Sequence, residues 1–188
     1  MSSFAEQMIV HENALVKIPD EMPLDLAALI GCGVITGYGA VTRSAAIEAG
    51  STVAIFGVGG IGLAAINAAQ LAGARSIIAI DRDTSKFAIA RQFGATETID
   101  ATIDDVVAKI VELSSGGVRY SFECVGLKIT AEQSFACLRP GGLATVIGMI
   151  PFGTKIELHG FDLPRQRRLQ GSAMKKGGVA RSVIMFEH

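Results

Sequence analysis

Residues 53–66 read VAIFGVGGIGLAAI. A short apolar run, Val53 to Phe56, ends at Gly57, and an Ala-, Leu- and Ile-rich stretch follows over 60–72 until Gly73. That is a buried strand, a glycine turn and a helix that stops at a glycine. Gly57, Gly59 and Gly62 form the pattern G-x-G-x-x-G in the strand–turn–helix context the pattern requires. Each glycine has its own reason. Gly57 permits the tight turn, Gly59 lets the backbone approach a pyrophosphate, and Gly62 lets helix and strand pack closely. Gly60 and Ile61 fall in the same turn and join the cofactor-contacting set. The helix start then offers N–H groups and a positive dipole end to phosphates.

Working outward, Ser76 to Ile80 is a second buried-type strand, and it closes at Asp81. Asp81 lies nineteen residues past Gly62, where an acid reaches the adenosine ribose hydroxyls. A carboxylate there repels a 2′-phosphate, so NAD is favoured over NADP. Arg82 follows, suited either to stack on adenine or to tolerate that phosphate. Lys86 reads equally as a ribose donor or as an ordinary surface lysine. Asp81 itself has an alternative reading as a turn acid or helix cap.

Beyond these, helix signals run from Thr84 to Gly94 and a weak strand covers 97–99. Thr102 with Asp105 resembles a capping box opening a helix to Leu113. Tyr120 to Val125 is a strand, 129–138 a helix, Pro140-Gly141-Gly142 a turn, Leu143 to Gly148 a strand, and 168–172 a sixth strand. Strands without alternation are buried on both faces, which means a parallel sheet covered by helices. The expected fold is α/β: a doubly wound, six-stranded parallel Rossmann sheet. The N-terminal residues fall outside that pattern. A short helix over 24–30 leads into LIGCGVITGYGAV at 29–41, whose glycines suggest tight turns. The division expected is an arm over 1–37, left from a second, mostly missing domain, a Rossmann domain over 38–174, and a divergent tail over 175–188.

Composition narrows the class. Hydrophobic residues make up 49% and charged residues 19%, which supports a sizeable core. Seventeen Lys and Arg against eighteen Asp and Glu leave a formal charge of −1, so nucleic-acid binding is not expected. Residues 49–74 carry no charge, but their glycines, Asn67 and Gln70 make them strand, turn and helix rather than a membrane span. Three scattered cysteines fit a reducing cytoplasm. By spacing alone Cys32 reads as a small buried thiol in a turn. Cys124 and Cys137 read as buried packing residues. Cys124 and Val125, at a strand end, also join the cofactor-contacting set.

GCGVITGYGAV (31–41), VAIFGVGGIGLAAI (53–66), IIAIDRDTSKFAIARQFGAT (77–96), FECVG (122–126) and LRPGGLATVIGM (138–149) together resemble the zinc-containing medium-chain alcohol dehydrogenases. The likeness runs from about Phe4 to Met174, nearest the glutathione-linked formaldehyde and aryl-alcohol branches. It implies hydride transfer between a primary alcohol or aldehyde and NAD. It implies that Cys32 is one of three protein ligands of a catalytic zinc, and that Thr36 is a catalytic residue facing the nicotinamide. Ile147 and Met149 would flank that ring or offer backbone groups to its carboxamide. It also implies a homodimer joined through the sixth strand. The remaining zinc ligands would lie upstream of Met1, and KKGGVARSVIMFEH at the end departs from the pattern. The expectation is therefore a truncated reading frame or an engineered fragment, a frame shift after Met174 being one version of it, and the alternative role is an NAD-binding module without catalysis.

Overall fold

The computed structural model of the chain describes residues 6–12, 15–102 and 105–173. The expected tail over 175–188 lies outside them. Six parallel strands form one sheet: β1 Thr52–Phe56, β2 Ser76–Asp81, β3 Glu97–Asp100, β4 Val118–Glu123, β5 Leu138–Val146 and β6 Arg168–Gly171. Their order is β3-β2-β1-β4-β5-β6, the doubly wound order, with its switch point between β1 and β4. Successive side chains point to opposite faces, so one strand feeds two cores. Val53 and Ile55 join a cluster with Ile77, Phe122 and Ala65 on one face, and Ala54 and Phe56 join Ile78, Ile99 and Phe135 on the other. This is why the strands read as continuous apolar runs.

The helices are α1 Leu24–Ser44, α2 Gly60–Leu71, α3 Phe87–Gln92, α4 Val106–Leu113 and α5 Lys128–Ala136. A single 3-10 turn, Thr84–Lys86, precedes α3, with the Asp83 carboxylate accepting from the Ser85 N–H. Asp105, rather than Thr102, caps α4: its carboxylate accepts from the Ala108 N–H at 3.1 Å. Thr102 instead donates both its N–H and its hydroxyl to Asp100. The Pro140 turn proves to be an irregularity inside β5. Val118 pairs with Leu138 but Tyr120 with Leu143, so residues 139–142 loop out of the ladder.

The largest departure from expectation is LIGCGVITGYGAV. It lies within α1, one helix that includes two wide turns, Ile30–Val34 and Ala40–Ser44. The boundary expected at 37/38 falls inside it. Packing overrides the turn propensity of glycine here. A Cβ on Gly37 would lie 2.3 Å from the Ile61 carbonyl oxygen, so α1 and α2 meet backbone to backbone at that point. Among the described residues, α1 is also the one helix long and apolar enough to cross a membrane. Its C-terminal half is folded into the core through Ile35, Ala40 and Val41. Its end is fastened to β6, where the Ser44 and Ser172 hydroxyls lie 2.9 Å apart and Gln170 Nε2 donates to the Ser44 carbonyl at 3.0 Å.

Candidate cofactor site

The C-terminal ends of β1, β2 and β4 open onto a cleft of about 560 Å³ lined by Gly57, Gly59, Asp81, Arg82, Lys86, Cys124 and Val125, among others. The three fingerprint glycines are explained separately. Gly57 sits at φ +92°, and a Cβ there would lie 2.7 Å from Val125 Cγ2. A Cβ on Gly62 would lie 1.9 Å from the Gly57 carbonyl oxygen, so only glycine lets α2 begin against that turn. A Cβ on Gly59 would meet nothing within 4 Å. No neighbouring atom in the chain forbids a side chain there, which leaves the room for a ligand. Gly59 precedes α2 with no side chain capping the helix, so the first-turn N–H groups have no side-chain acceptor there. Of the two other expected contacts in this turn, Gly60 lines the neighbouring groove between α1 and α2 rather than the cleft, and Ile61 lines neither.

Asp81 ends β2 beside this turn. Its Oδ2 accepts from the Val58 N–H at 2.7 Å and its Oδ1 from the Asp83 N–H at 2.9 Å. Lys86 Nζ stands 3.6 Å from Oδ2 and 3.9 Å from an Asp83 oxygen. Asp81 is thus more than a turn acid: it ties the glycine loop to β2. A carboxylate has about four lone-pair sites, so two remain to accept hydroxyls. Arg82 is exposed at the rim. Across the cleft stand the exposed apolar side chains of Val125, Leu127 and Ile129, an adequate wall for a flat base.

The other expected contacts are more scattered. Cys124 is half-buried and lines the cleft, so its reading as a packing residue holds only in part. Burial and the adjacent Glu123 push its thiol far above the ordinary range, which keeps it protonated and poor as a nucleophile. Cys137 is buried at the end of α5, and burial pushes its thiol up to about 12. Ile147 is buried and donates its N–H to the Glu123 carbonyl at 2.8 Å. Met149 is 93% exposed, and neither residue lines the cleft.

Cys32 and Thr36 are not brought to that cleft. Cys32 is exposed on α1, in its first wide turn, rather than buried in a loop. It lines a separate apolar groove of about 450 Å³ between α1 and α2. Thr36 is half-buried one turn further on. A catalytic zinc takes three protein donors and an open position. Among the described residues, no group of three or more His, Cys, Asp or Glu side chains could hold a metal. The residues present therefore fit a dinucleotide and do not fit a zinc ion.

Residue-by-residue reading overlooked Glu123, buried at the end of β4, and the Ile129–Thr130–Gln133 wall. The available signal was one acidic residue inside the apolar run expected as a strand, YSFECV.

Comparison with known proteins agrees with this geometry. The family described as zinc-binding dehydrogenase matches residues 60–186, a span that runs into the segment expected to diverge. A probable S-(hydroxymethyl)glutathione dehydrogenase 1 of Schizosaccharomyces pombe is 42% identical over 95% of this chain and 47% of its own length. The benzyl alcohol dehydrogenase of Acinetobacter calcoaceticus superposes with a TM-score of 0.86 at 30% identity, over 92% of this chain and 49% of that one. A dehydrogenase structure from Sinorhizobium meliloti 1021, described as putative, zinc-binding and bound to NADP, gives 0.77 at 36% identity, over 83% and 47%. The chain spans about half the length of the curated relatives it matches. With a six-stranded doubly wound sheet, a glycine turn and an acid closing β2, the chain belongs to the zinc-binding dehydrogenase family.

Proposed function

We propose that this chain is the cofactor-binding half of an NAD-dependent alcohol dehydrogenase, serving hydride transfer between a primary alcohol or aldehyde and nicotinamide. One observation carries the reading. The Asp81 carboxylate is held beside a glycine turn whose Gly59 leaves open space at the start of an uncapped helix. Gly57 to Gly62 would cradle the pyrophosphate, and Asp81 would accept from the adenosine ribose. Ile129 would cover adenine, with Arg82 at its edge and Lys86 beside the ribose. Bound NAD supplies the hydride acceptor. Asp81 stands where a 2′-phosphate would bring like charge, so NAD is preferred over NADP.

The second reading, an NAD-binding module without turnover, is favoured by the lack, among the described residues, of three grouped metal donors. Cys32 alone does not hold zinc, so turnover requires ligands from residues other than those described. Three unpaired cysteines suit a reducing cytoplasm. The exposed edge of β6 suits a homodimer.

Titration calorimetry of NAD and NADP into the purified chain, with metal assayed on the same sample, tests both readings. Expected are micromolar-range binding of NAD, weaker NADP binding and no stoichiometric zinc. Absence of NAD binding sinks the cofactor reading. Stoichiometric zinc removes the reason for the second.

A further inference from the structure

Glu123 is 0% exposed at the end of β4, between β1 and β5 at the switch point of the sheet. A carboxyl group in so dry a place is unusual, because an apolar side chain would fill the space without desolvating a polar one. Its Oε1 accepts three hydrogen bonds: from the Val125 N–H at 2.9 Å, the Gly126 N–H at 2.8 Å and the Thr130 hydroxyl at 2.7 Å. Its backbone carbonyl accepts from the N–H groups of Ile147 and Gly148, at 2.8 and 3.0 Å. Oε2 is buried and has no hydrogen-bond partner among the described residues.

Two loops therefore converge on this one residue: the loop after β4 and the loop after β5. They touch backbone to backbone. A Cβ on Gly148 would lie 2.1 Å from the Gly126 nitrogen and 2.6 Å from Glu123 Oε2, and a Cβ on Gly126 would lie 2.8 Å from the Met149 carbonyl oxygen. The first of these loops also presses Val125 onto the Gly57 turn. Glu123 itself does not line the cleft, so whatever it does is done through these neighbours.

A dinucleotide lies across the switch point with one half on each side. Asp81 and the Gly59 turn serve the adenosine half, over β1 and β2. The other half must lie over the ends of β4 and β5, where these two loops meet. We infer that Glu123 is a positioning residue that locks the 124–127 and 147–149 loops together into the platform for the nicotinamide half of the cofactor. The inference rests on the proposed NAD binding. An acceptor is needed because two N–H groups of the loop after β4 and the Thr130 hydroxyl of α5 converge on one point. No apolar side chain could gather them.

The test compares NAD with ADP-ribose, which shares the adenosine and pyrophosphate but lacks the nicotinamide ring. Both are titrated into the full chain, the Glu123→Gln variant and the Thr130→Val variant, with folding checked by circular dichroism. Glutamine keeps the acceptor toward the three donors but replaces the buried Oε2 with a larger N–H₂ group pressed against Gly148. Expected is a loss of about tenfold in NAD affinity for Glu123→Gln, with ADP-ribose held within about twofold, because the added hydrogens strain the two loops where they touch. Thr130→Val, which removes one of the three donors, lowers the NAD to ADP-ribose affinity ratio by a smaller factor in the same direction. A structural role alone would weaken both ligands equally. Equal loss, or no loss, in whichever variants fold overturns the assignment. If the unaltered chain binds neither ligand, the cofactor reading falls and the assignment falls with it. If the unaltered chain binds both ligands and the variants keep its ratio, only the assignment falls.

Discussion

At Asp81 both carboxylate oxygens already hold backbone N–H groups, from Val58 and Asp83. Replacing it therefore does more than alter specificity. Asp81→Ala is expected to narrow the gap between NAD and NADP, to weaken both, and to lower unfolding stability by about 1–3 kcal/mol as two N–H groups lose their acceptor. Calorimetry with both cofactors and urea unfolding measure the two effects. An unchanged NAD to NADP ratio would remove Asp81 from the ribose role. The glycines separate fold from function more sharply. Gly62→Ala sets a Cβ 1.9 Å from the Gly57 carbonyl oxygen and is expected to lower stability by about 1–3 kcal/mol or more. Gly59→Ala meets nothing in the chain, so its melting temperature should hold while NAD affinity falls by about tenfold, on the order of 1.4 kcal/mol. Equal melting losses in the two variants would contradict this division. These residues were legible because the fingerprint ties each glycine and the acid to one local geometry. Cys32 was not. Its reading as a turn thiol depended on whether its glycine-rich segment was a loop or a helix, and tertiary contact decides that.

Among the elements, α1 shows how packing overrides composition. Only Gly37, of the four glycines in the quoted stretch, is required by a close approach; Gly31, Gly33 and Gly39 face open space. Gly37→Ala should therefore destabilise by about 1–3 kcal/mol, through the contact with Ile61. Gly33→Ala should stabilise by about 0.5–1 kcal/mol, as alanine does in a helix. Urea midpoints for the pair decide it, and a shift of the same sign in both would refute the packing argument. On the other side of the sheet, Lys128 pins the loop after β5 to α5. Its ammonium donates to Glu132 at 2.6 Å, to Glu157 at 3.1 Å and to the Lys155 carbonyl at 3.1 Å. Hydrogen bonds from Lys128 and then from the Glu157 N–H hold the Glu132 carboxyl below its ordinary 4.5. Bonds to Glu132 and Glu157 hold Lys128 above 10.5. A lowered acid contributes stability above its unfolded pKa and loses it as pH falls through its folded value. A raised base contributes below its unfolded pKa and loses it as pH rises past its folded one. The strap is therefore intact at neutral pH and opens only below about 4.5 or above about 10.5. Limited proteolysis of residues 150–157 should be insensitive to pH between 6 and 9 in this account. A rise in cutting within that window, lost in Lys128→Met, would contradict it.

For the whole molecule, the strand order was readable because apolar runs and helix stretches alternate, and a parallel sheet with right-handed crossovers leaves few arrangements. The length of β5 was not, since Pro140-Gly141-Gly142 reads locally as a turn while the strand resumes its pairing beyond it. The candidate site was half legible: its Gly57–Asp81 side follows from the fingerprint, whereas its other side depends on loops that β4 and β5 bring together from distant sequence. At the sheet edge, among the described residues, β6 pairs on one side, to β5. An edge of this kind invites a second copy, so sedimentation equilibrium is expected to return twice the chain mass. A monomer across the concentration range would withdraw the pairing. The hydrogen bond between Ser44 and Ser172 has one more consequence. It brings the start and the finish of the sheet domain to the same point in space, so the chain between them is nearly a closed ring. New termini opened in the exposed turn at 115–116, with a short linker joining the old ends, would preserve every strand pairing, and the unit could equally be threaded into a surface loop of an unrelated host.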